Sequence, residues 1–498
     1  MPQGDAFAFG PFQLETRSKR LLRDREPIAI SARQFDLLCA LVSKAGEVLS
    51  KDQLIEIAWR DVAVTDNSLE QAISGLRRVL STSASDEYIR TEARRGYRFA
   101  ATVTRIVTRE SDAALDALLA PHRAWMEGRA ALETLERERI AHARDVFDEV
   151  LQRVPDHASV HVGLANACVM QFETTRADQT PDLAALETAA HHAREACRLD
   201  PQYGEAWATL GFVLERTGRH ADALAACRRA VTLEPDNWRH HLRLAYTAWG
   251  EERLRAAGRT LTLLPDFPMA HWLAATVHVA RGRLSEAERA LEAGTAVESA
   301  GSAKAPKFAA VALHWLRGLI YLARDDETRA LASFERELSA ETDGHVYARE
   351  CCANTWYAIG ALHFWRNRLP DARTAFERAI ERVAIHPMAR LGLAVVQKNM
   401  GDERGRAISP LPDGDHPRPT FFDRALCQAA ADLLDSLPAE SNQRNDAARR
   451  AAHTVEAALA DAASPSDGWL LPLEPLIRVH SAPEVWAPVL ARLRARAA

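Results

Sequence analysis

From residue 7 apolar and polar positions alternate, with Phe7 and Phe9, Phe12 and Leu14, Leu21 and Leu22, then Ile28 and Ile30, interrupted by turn residues at Gly10-Pro11 and Asp24 to Pro27. A period of two predicts a short antiparallel β-meander. At Ser31, a good helix N-cap, the spacing changes to threes and fours through Phe35, Leu38, Cys39, Leu41 and Val42, which predicts a helix ending at Gly46. A second helix is predicted from Ser50 through Leu54, Ile55, Ala58 and Trp59. A third starts at Asp66 or Asn67 and runs through Leu69, Ala72, Ile73, Leu76, Val79 and Leu80. From Tyr88 to Val103 the alternation returns around Arg94-Arg95-Gly96, as a hairpin with a basic tip.

Helix, helix, helix, hairpin is the order of a winged helix. In the third helix the apolar residues occupy one stripe, which leaves Gln71, Ser74, Gly75, Arg77 and Arg78 for the opposite face. Such a face can enter a major groove about 12 Å wide, where arginines meet phosphate or guanine acceptors. Arg90, Arg94, Arg95 and Arg98 on the hairpin suit a narrow minor groove. Solvated surface arginines are the competing reading. Over residues 7 to 103 the chain also resembles the OmpR-type winged-helix output domain, through ISARQFDLLCALVSKAGEVLSKDQL, IEIAW, VTDNSLEQAISGLRRVL and YIRTEARRGYRF in order. The last stretch is most similar to the wing of one-component regulators of the ToxR and CadC type. This resemblance implies a recognition helix from Asn67 to Leu80, with Asn67, Gln71, Ser74, Arg77 and Arg78 toward DNA. It further implies a wing of Thr91, Arg94, Arg95, Gly96 and Tyr97, and an RNA polymerase contact loop containing Arg60, Asp61, Val62 and Val64.

From about residue 122 a different regularity sets in. Residues 204 to 237 place Trp207, Leu210, Gly211, Leu214, Gly218, Ala223, Cys227, Ala230 and Pro235 where the 34-residue tetratricopeptide pattern has its packing residues. Trp356, Ile359, Gly360, Ala372, Phe376 and Ala379 repeat the pattern, and Gly318, Tyr321, Ala330 and Phe334 do so more sparsely. Six or seven units are expected, one interrupted before Ala189 and one shortened between Trp238 and Pro265. The body thus resembles a tetratricopeptide solenoid. Phe212, Trp315 and Tyr357 are candidates for an apolar groove on its inner wall, open to a protein or small-molecule partner; ordinary contact between repeats is the alternative. SPLPDGDHPRPT, residues 409 to 420, carries four prolines and predicts a loop, with three capping helices beyond it.

Composition adjusts this picture modestly. The 498 residues are 47% hydrophobic and hold 63 Lys plus Arg against 68 Asp plus Glu, for a net charge of −5. Residues 1 to 108 hold 16 bases and 14 acids, so a slightly basic head precedes an acidic body. Only six bases are lysine, so arginine abundance by itself points to no polyanion. Seven cysteines without C-x-x-C spacing encode neither a disulfide framework nor a zinc ribbon, and no phosphate-loop, dinucleotide or metalloprotease motif is present. His157 and His161, four apart, lack a placed third metal ligand. No apolar run of about 18 residues is available to span a membrane.

The expected fold is therefore multidomain and mainly α. It comprises an α+β winged helix over 1–108, a linker over 109–120, an α-helical repeat solenoid over 121–408, the loop over 409–420 and a helical cap over 421–498. The expected function is that of a cytoplasmic, non-enzymatic one-component regulator with a HilA-like layout. Its expected partners are double-stranded promoter DNA, RNA polymerase by resemblance and an unknown ligand of the groove, with homodimer pairing on DNA admitted and no cofactor, metal or membrane. The alternative is a repeat scaffold whose winged helix binds protein, a reading that Ser74-Gly75 sustains.

Overall fold

The computed structural model describes residues 6–59 except 17, 66–81, 87–106 except 94, 112–133, 137–299 except 266, 310–339, 341, 345–402, and 420–498 except 439. In the head, strands β1 (Ala6–Phe9), β2 (Phe12–Glu15), β3 (Arg20–Arg23) and β4 (Glu26–Ile28) form the expected meander. A strand not foreseen, β8 (Thr104–Ile106), pairs with β1 at the sheet's edge, opposite Ala6 to Ala8. Helix α1 (Ala32–Ser43) starts in a capping box, in which the Ser31 hydroxyl accepts from the Gln34 N–H and the Gln34 side chain accepts from the Ser31 N–H. After it come β5 (Val48–Leu49), α2 (Lys51–Trp59) and α3 (Asp66–Leu80), then the hairpin of β6 (Ile89–Glu92) and β7 (Gly96–Phe99). The two-residue β5 escaped the periodicity because it is too short to show one. It adds the hairpin to a second sheet in the order β5-β7-β6.

The body is built of helix pairs: α4 (Asp112–Glu133) with α5 (Arg137–Arg153), α6 (Ala158–Thr175) with α7 (Leu183–Leu199), and α8 (Gly204–Arg216) with α9 (His220–Leu233). The shortened unit pairs the ten-residue α10 (Trp238–Thr247) with α11 (Gly250–Leu263). Then follow α12 (Pro268–Ala280) with α13 (Leu284–Ser299), α14 (Leu313–Ala323) with α15 (Glu327–Ser339), and α16 (Ala348–Trp365) with α17 (Leu369–Arg382). In several pairs a glycine on the first helix admits the second. A methyl group on Gly211 would collide with the Cys227 sulfur and lie 3.0 Å from the Ala223 carbonyl, and one on Gly318 would strike the Phe334 ring. Phe376 serves two helices, since Gly360 of α16 and Gly392 of α18 (Pro387–Asn399) both press on its ring.

The superhelix brings distant repeats together. Arg176, just beyond α6, forms a two-pronged ion pair with Glu350 of α16 at 2.7 and 2.9 Å and also reaches Glu173 at 3.1 Å. Burial alone would raise the Glu173 carboxyl, but Arg216 and Arg176 hold it down to about 2. The winged helix packs against the flank of this body. Its core continues into Trp238, Leu263, Phe267 and Ala270, and Arg33 of α1 approaches Glu234 at 3.7 Å.

The C-terminal part departs from a simple cap. Helices α19 (Phe421–Asp435) and α20 (Ser441–Ala460) stack beyond α18, but the chain then turns back along the first helices of earlier pairs. Trp469 meets Trp272 of α12 edge-on, the 3-10 turn Leu471–Leu473 lies on α12 and α14, and the Pro475 carbonyl accepts from the Trp365 indole at 3.0 Å. Finally α21 (Pro483–Arg496) reaches α12, and Arg281 donates to the Ala497 carbonyl at 2.8 Å. No helix among the described residues is long and apolar enough to cross a membrane.

Two outcomes follow from these contacts. Gly211→Leu is expected to overpack the α8–α9 crossing and lower stability by ~1–3 kcal/mol, read by thermal unfolding. Glu474 is fully buried in the returning segment, and burial pushes its carboxyl up to about 7 although the Tyr357 hydroxyl and the Leu476 N–H favour the anion. Because this folded value exceeds the ordinary 4.5, the segment holds its full stability below pH 4.5 and loses it as pH rises through 7, by about 3 kcal/mol at full ionisation. Hydrogen exchange across residues 469 to 479 should accelerate over that range beyond its intrinsic pH dependence, and Glu474→Gln should abolish the excess.

Candidate nucleic-acid interface

The third helix is strongly amphipathic, and its apolar stripe of Leu69, Ile73, Leu76 and Leu80 is completely buried. Opposite that stripe Gln71, Ser74 and Arg78 are exposed with the body in place. Their spacing of three and four aligns them along one face, and Arg78 has no ion-pair partner among the described residues.

Arg77 plays a different part from the one its spacing suggests. Half-buried, it donates to the Ile89 carbonyl at 3.0 Å and the Thr91 hydroxyl at 2.8 Å, and its guanidinium lies 5.9 Å from the Tyr97 ring. It ties the third helix to the hairpin. Gly75 lies beside α1, where a methyl group would meet the end of the Gln34 side chain.

In the hairpin the cations divide similarly. Arg98 pairs with Glu92 at 2.7 Å and Arg90 with Glu87 at 3.3 Å, whereas Arg95 is exposed and takes no ion pair among the described residues. Tyr97 is buried at 4% exposure, beneath Arg77, and so supports the wing from inside. Gly96 is buried too. Its φ is +131° and any side chain there would run into the Leu49 carbonyl, so only glycine lets β7 pass β5 at this point. Thr91 is exposed but engaged by Arg77. Arg60, Asp61, Val62, Val64 and Arg94 lie outside the described residues, as does the side chain of Asn67.

The groove candidates in the body are all covered. Phe212 lies between two guanidinium groups, Arg216 at 4.6 Å and Arg243 at 3.8 Å from its ring centre. Trp315 is 7% exposed, within the core that includes Leu473. Tyr357 bonds through its hydroxyl to Glu474, so that part of the inner wall is filled by the chain's own C-terminal segment. Sequence reasoning missed this occupant because the segment has no helical period. His157 bonds to Ser159, while His161 is held by the Pro155 carbonyl and by His192, and no cluster of three or more potential metal ligands occurs among the described residues.

Comparison with known proteins agrees with this division into head and body. Residues 25–99 match the family described as "Transcriptional regulatory protein, C terminal", and residues 204–247 and 357–397 match tetratricopeptide repeat families. Over 93 residues the chain is 37% identical to the transcriptional regulator HilA of Salmonella typhimurium, covering 19% of this chain and 17% of that one. It is 35% identical over 118 residues to the cholera toxin transcriptional activator of Vibrio cholerae, covering 22% of this chain and 40% of the relative. The match thus spans less than half the length of either relative. The DNA-binding domain of E. coli CadC aligns over 21% of this chain and 99% of its own, at 32% identity and a TM-score of 0.20. The head is accordingly a winged-helix domain of the transcriptional regulatory protein type, and tetratricopeptide repeats follow it in the body.

Proposed function

We propose that the protein is a cytoplasmic, DNA-binding transcriptional regulator of the one-component type, whose repeat body receives the signal. The observation carrying this reading is the surface of Gln71, Ser74 and Arg78 with Arg95 beside it. These residues stay exposed in the full chain, while Arg77, Arg90 and Arg98 are engaged within the head. Free cations at the helix and the wing tip suit phosphate contact, and Gln71 can read a base edge. Asn67 and Arg94 would add DNA contacts, as the resemblance implies, and Thr91, Gly96 and Tyr97 shape the wing. The loop containing Arg60, Asp61, Val62 and Val64 would contact RNA polymerase, as the resemblance implies, and a homodimer would pair two heads on a promoter. The similarity of the head to HilA and to the cholera toxin activator, both named as transcription factors, supports this reading over a protein scaffold.

Retardation of promoter fragments by the full chain tests the reading. Binding should weaken steeply with salt, and Arg78→Ala and Arg95→Ala should each reduce the slope of log K against log salt by about 0.9. Failure to retard any genomic fragment at low salt would favour the scaffold. Arg77→Ala should behave differently, lowering the head's stability by ~1–2 kcal/mol through loss of its bonds to β6, seen as an earlier thermal transition even without DNA.

A further inference from the structure

Where the winged helix meets the first repeats, the structure forms an open cleft of about 470 Å3. Trp59, Ile57 and Phe35 of the head face Trp125 and Tyr203 of the body across it. Its size falls within the range of small-molecule sites, and a junction between domains is a common place for one. The lining carries both signs of charge, with carboxylates such as Asp36, Asp156 and Asp200 along it, and the cations gather at the aromatic rings. Lys19 lies 5.8 Å and Arg129 5.3 Å from the Trp125 ring, while Arg33 lies 5.4 Å from that of Trp59.

At one end the cleft adjoins a recess of about 40 Å3, the two sharing Arg33, Arg129 and Glu205. Four arginines line this recess, Arg33, Arg129, Arg239 and Arg243, against the single carboxylate of Glu205. That carboxylate is already engaged, accepting from the Tyr203 hydroxyl at 2.9 Å and approaching Arg129 at 3.9 Å. Arg243 has neither a carboxylate nor a hydrogen-bond acceptor among the described residues, only the Phe212 ring beneath it. Burial pushes its pKa down, as expected of a cation without a counterion. His240 is 1% exposed and lines the same recess. Its Nε2 is taken by Glu234 and Asn237, but its Nδ1 is buried without a partner. Buried polar atoms are ordinarily paired, so the unpartnered Nδ1 of His240, beside the half-buried Arg243 guanidinium that takes no acceptor among the described residues, leaves room for an anionic group.

We propose that this junction binds a small aromatic carboxylate, its flat body between Trp59 and Trp125 and its carboxylate in the recess against Arg243 and His240. The inference deepens the regulator reading by giving the signal a site, and it rests on that reading only for its consequence in the cell. Because Trp59 and Arg33 belong to the head while Trp125, Arg243 and His240 belong to the body, an occupant would hold the two together.

Isothermal titration of the full chain with 2-naphthoate, and with 2-naphthamide as its neutral counterpart, tests the site without DNA. Failure here is therefore distinguishable from failure to bind promoters. The carboxylate should bind saturably at one site per chain and about tenfold or more tightly than the amide, the ratio expected for a charge-assisted contact. Arg243→Gln should erase this preference by weakening the carboxylate far more than the amide, with helicity unchanged. Trp125→Ala should weaken both ligands alike. Should Arg243→Gln lose helicity, Arg129→Gln at the half-exposed wall of the recess replaces it and should reduce the preference. No binding of 2-naphthoate at millimolar concentration, equal affinity for the two probes, or an undiminished preference in a folded recess variant would overturn the proposal.

Discussion

Near each end of the repeat array the packing rests on one kind of contact, an aromatic ring on the second helix of a pair pressed against glycines on the first helices before and after it. Phe147 touches Gly128 and Gly163 in this way, and Phe376 touches Gly360 and Gly392. Each ring sets how closely three successive helices approach, and so fixes the rotation from one repeat to the next. The accumulated curvature carries residues 174 positions apart into the Arg176–Glu350 pair. It also creates the flank on which the head rests and the inner wall along which the C-terminal segment returns. A larger residue at any of these glycines would alter a local distance and, through it, the placement of everything downstream.

What could be read from the sequence follows the range of the interactions. Helix α3 was legible because its partners are its own neighbours at three and four residues, and the glycine and alanine spacing of the best repeats was legible for the same reason. The roles of individual exposed residues were less so. Spacing assigned Arg77 to the outer face, but it could not reveal that Ile89 and Thr91 stand within reach. For Gly75, likewise, spacing could not reveal that the Gln34 side chain lies beside it. The stretch from Ser464 to Ser481 was illegible for a simpler reason. It carries Pro465, Pro472 and Pro475, has no period, and is held by long-range contacts of Trp469, Glu474 and Pro475 with repeats more than a hundred residues earlier.

The head's interface shows how charge is apportioned when arginine is abundant. Arg90 and Arg98 of the hairpin pair with carboxylates of the domain, whereas Arg78 on the helix face and Arg95 at the wing tip take no ion pair among the described residues. The same contrast recurs at the junction, where Arg33 and Arg129 approach carboxylates and Arg243 does not. Counting bases would find neither surface. Tracing which of them have partners finds both.

Linear repeat arrays unfold as one-dimensional systems, in which each unit feels only its neighbours and the array can fray from either end. The Arg176–Glu350 pair and the return of the C-terminal segment over α12, α14 and α16 add couplings between units that are not adjacent. The lattice of interactions is therefore looped, and the C-terminal end cannot detach without also releasing contacts in the middle. This body should denature in a sharper, more cooperative step than an open array of equal length, and should refold more slowly, because its loops must close before their contacts stabilise it.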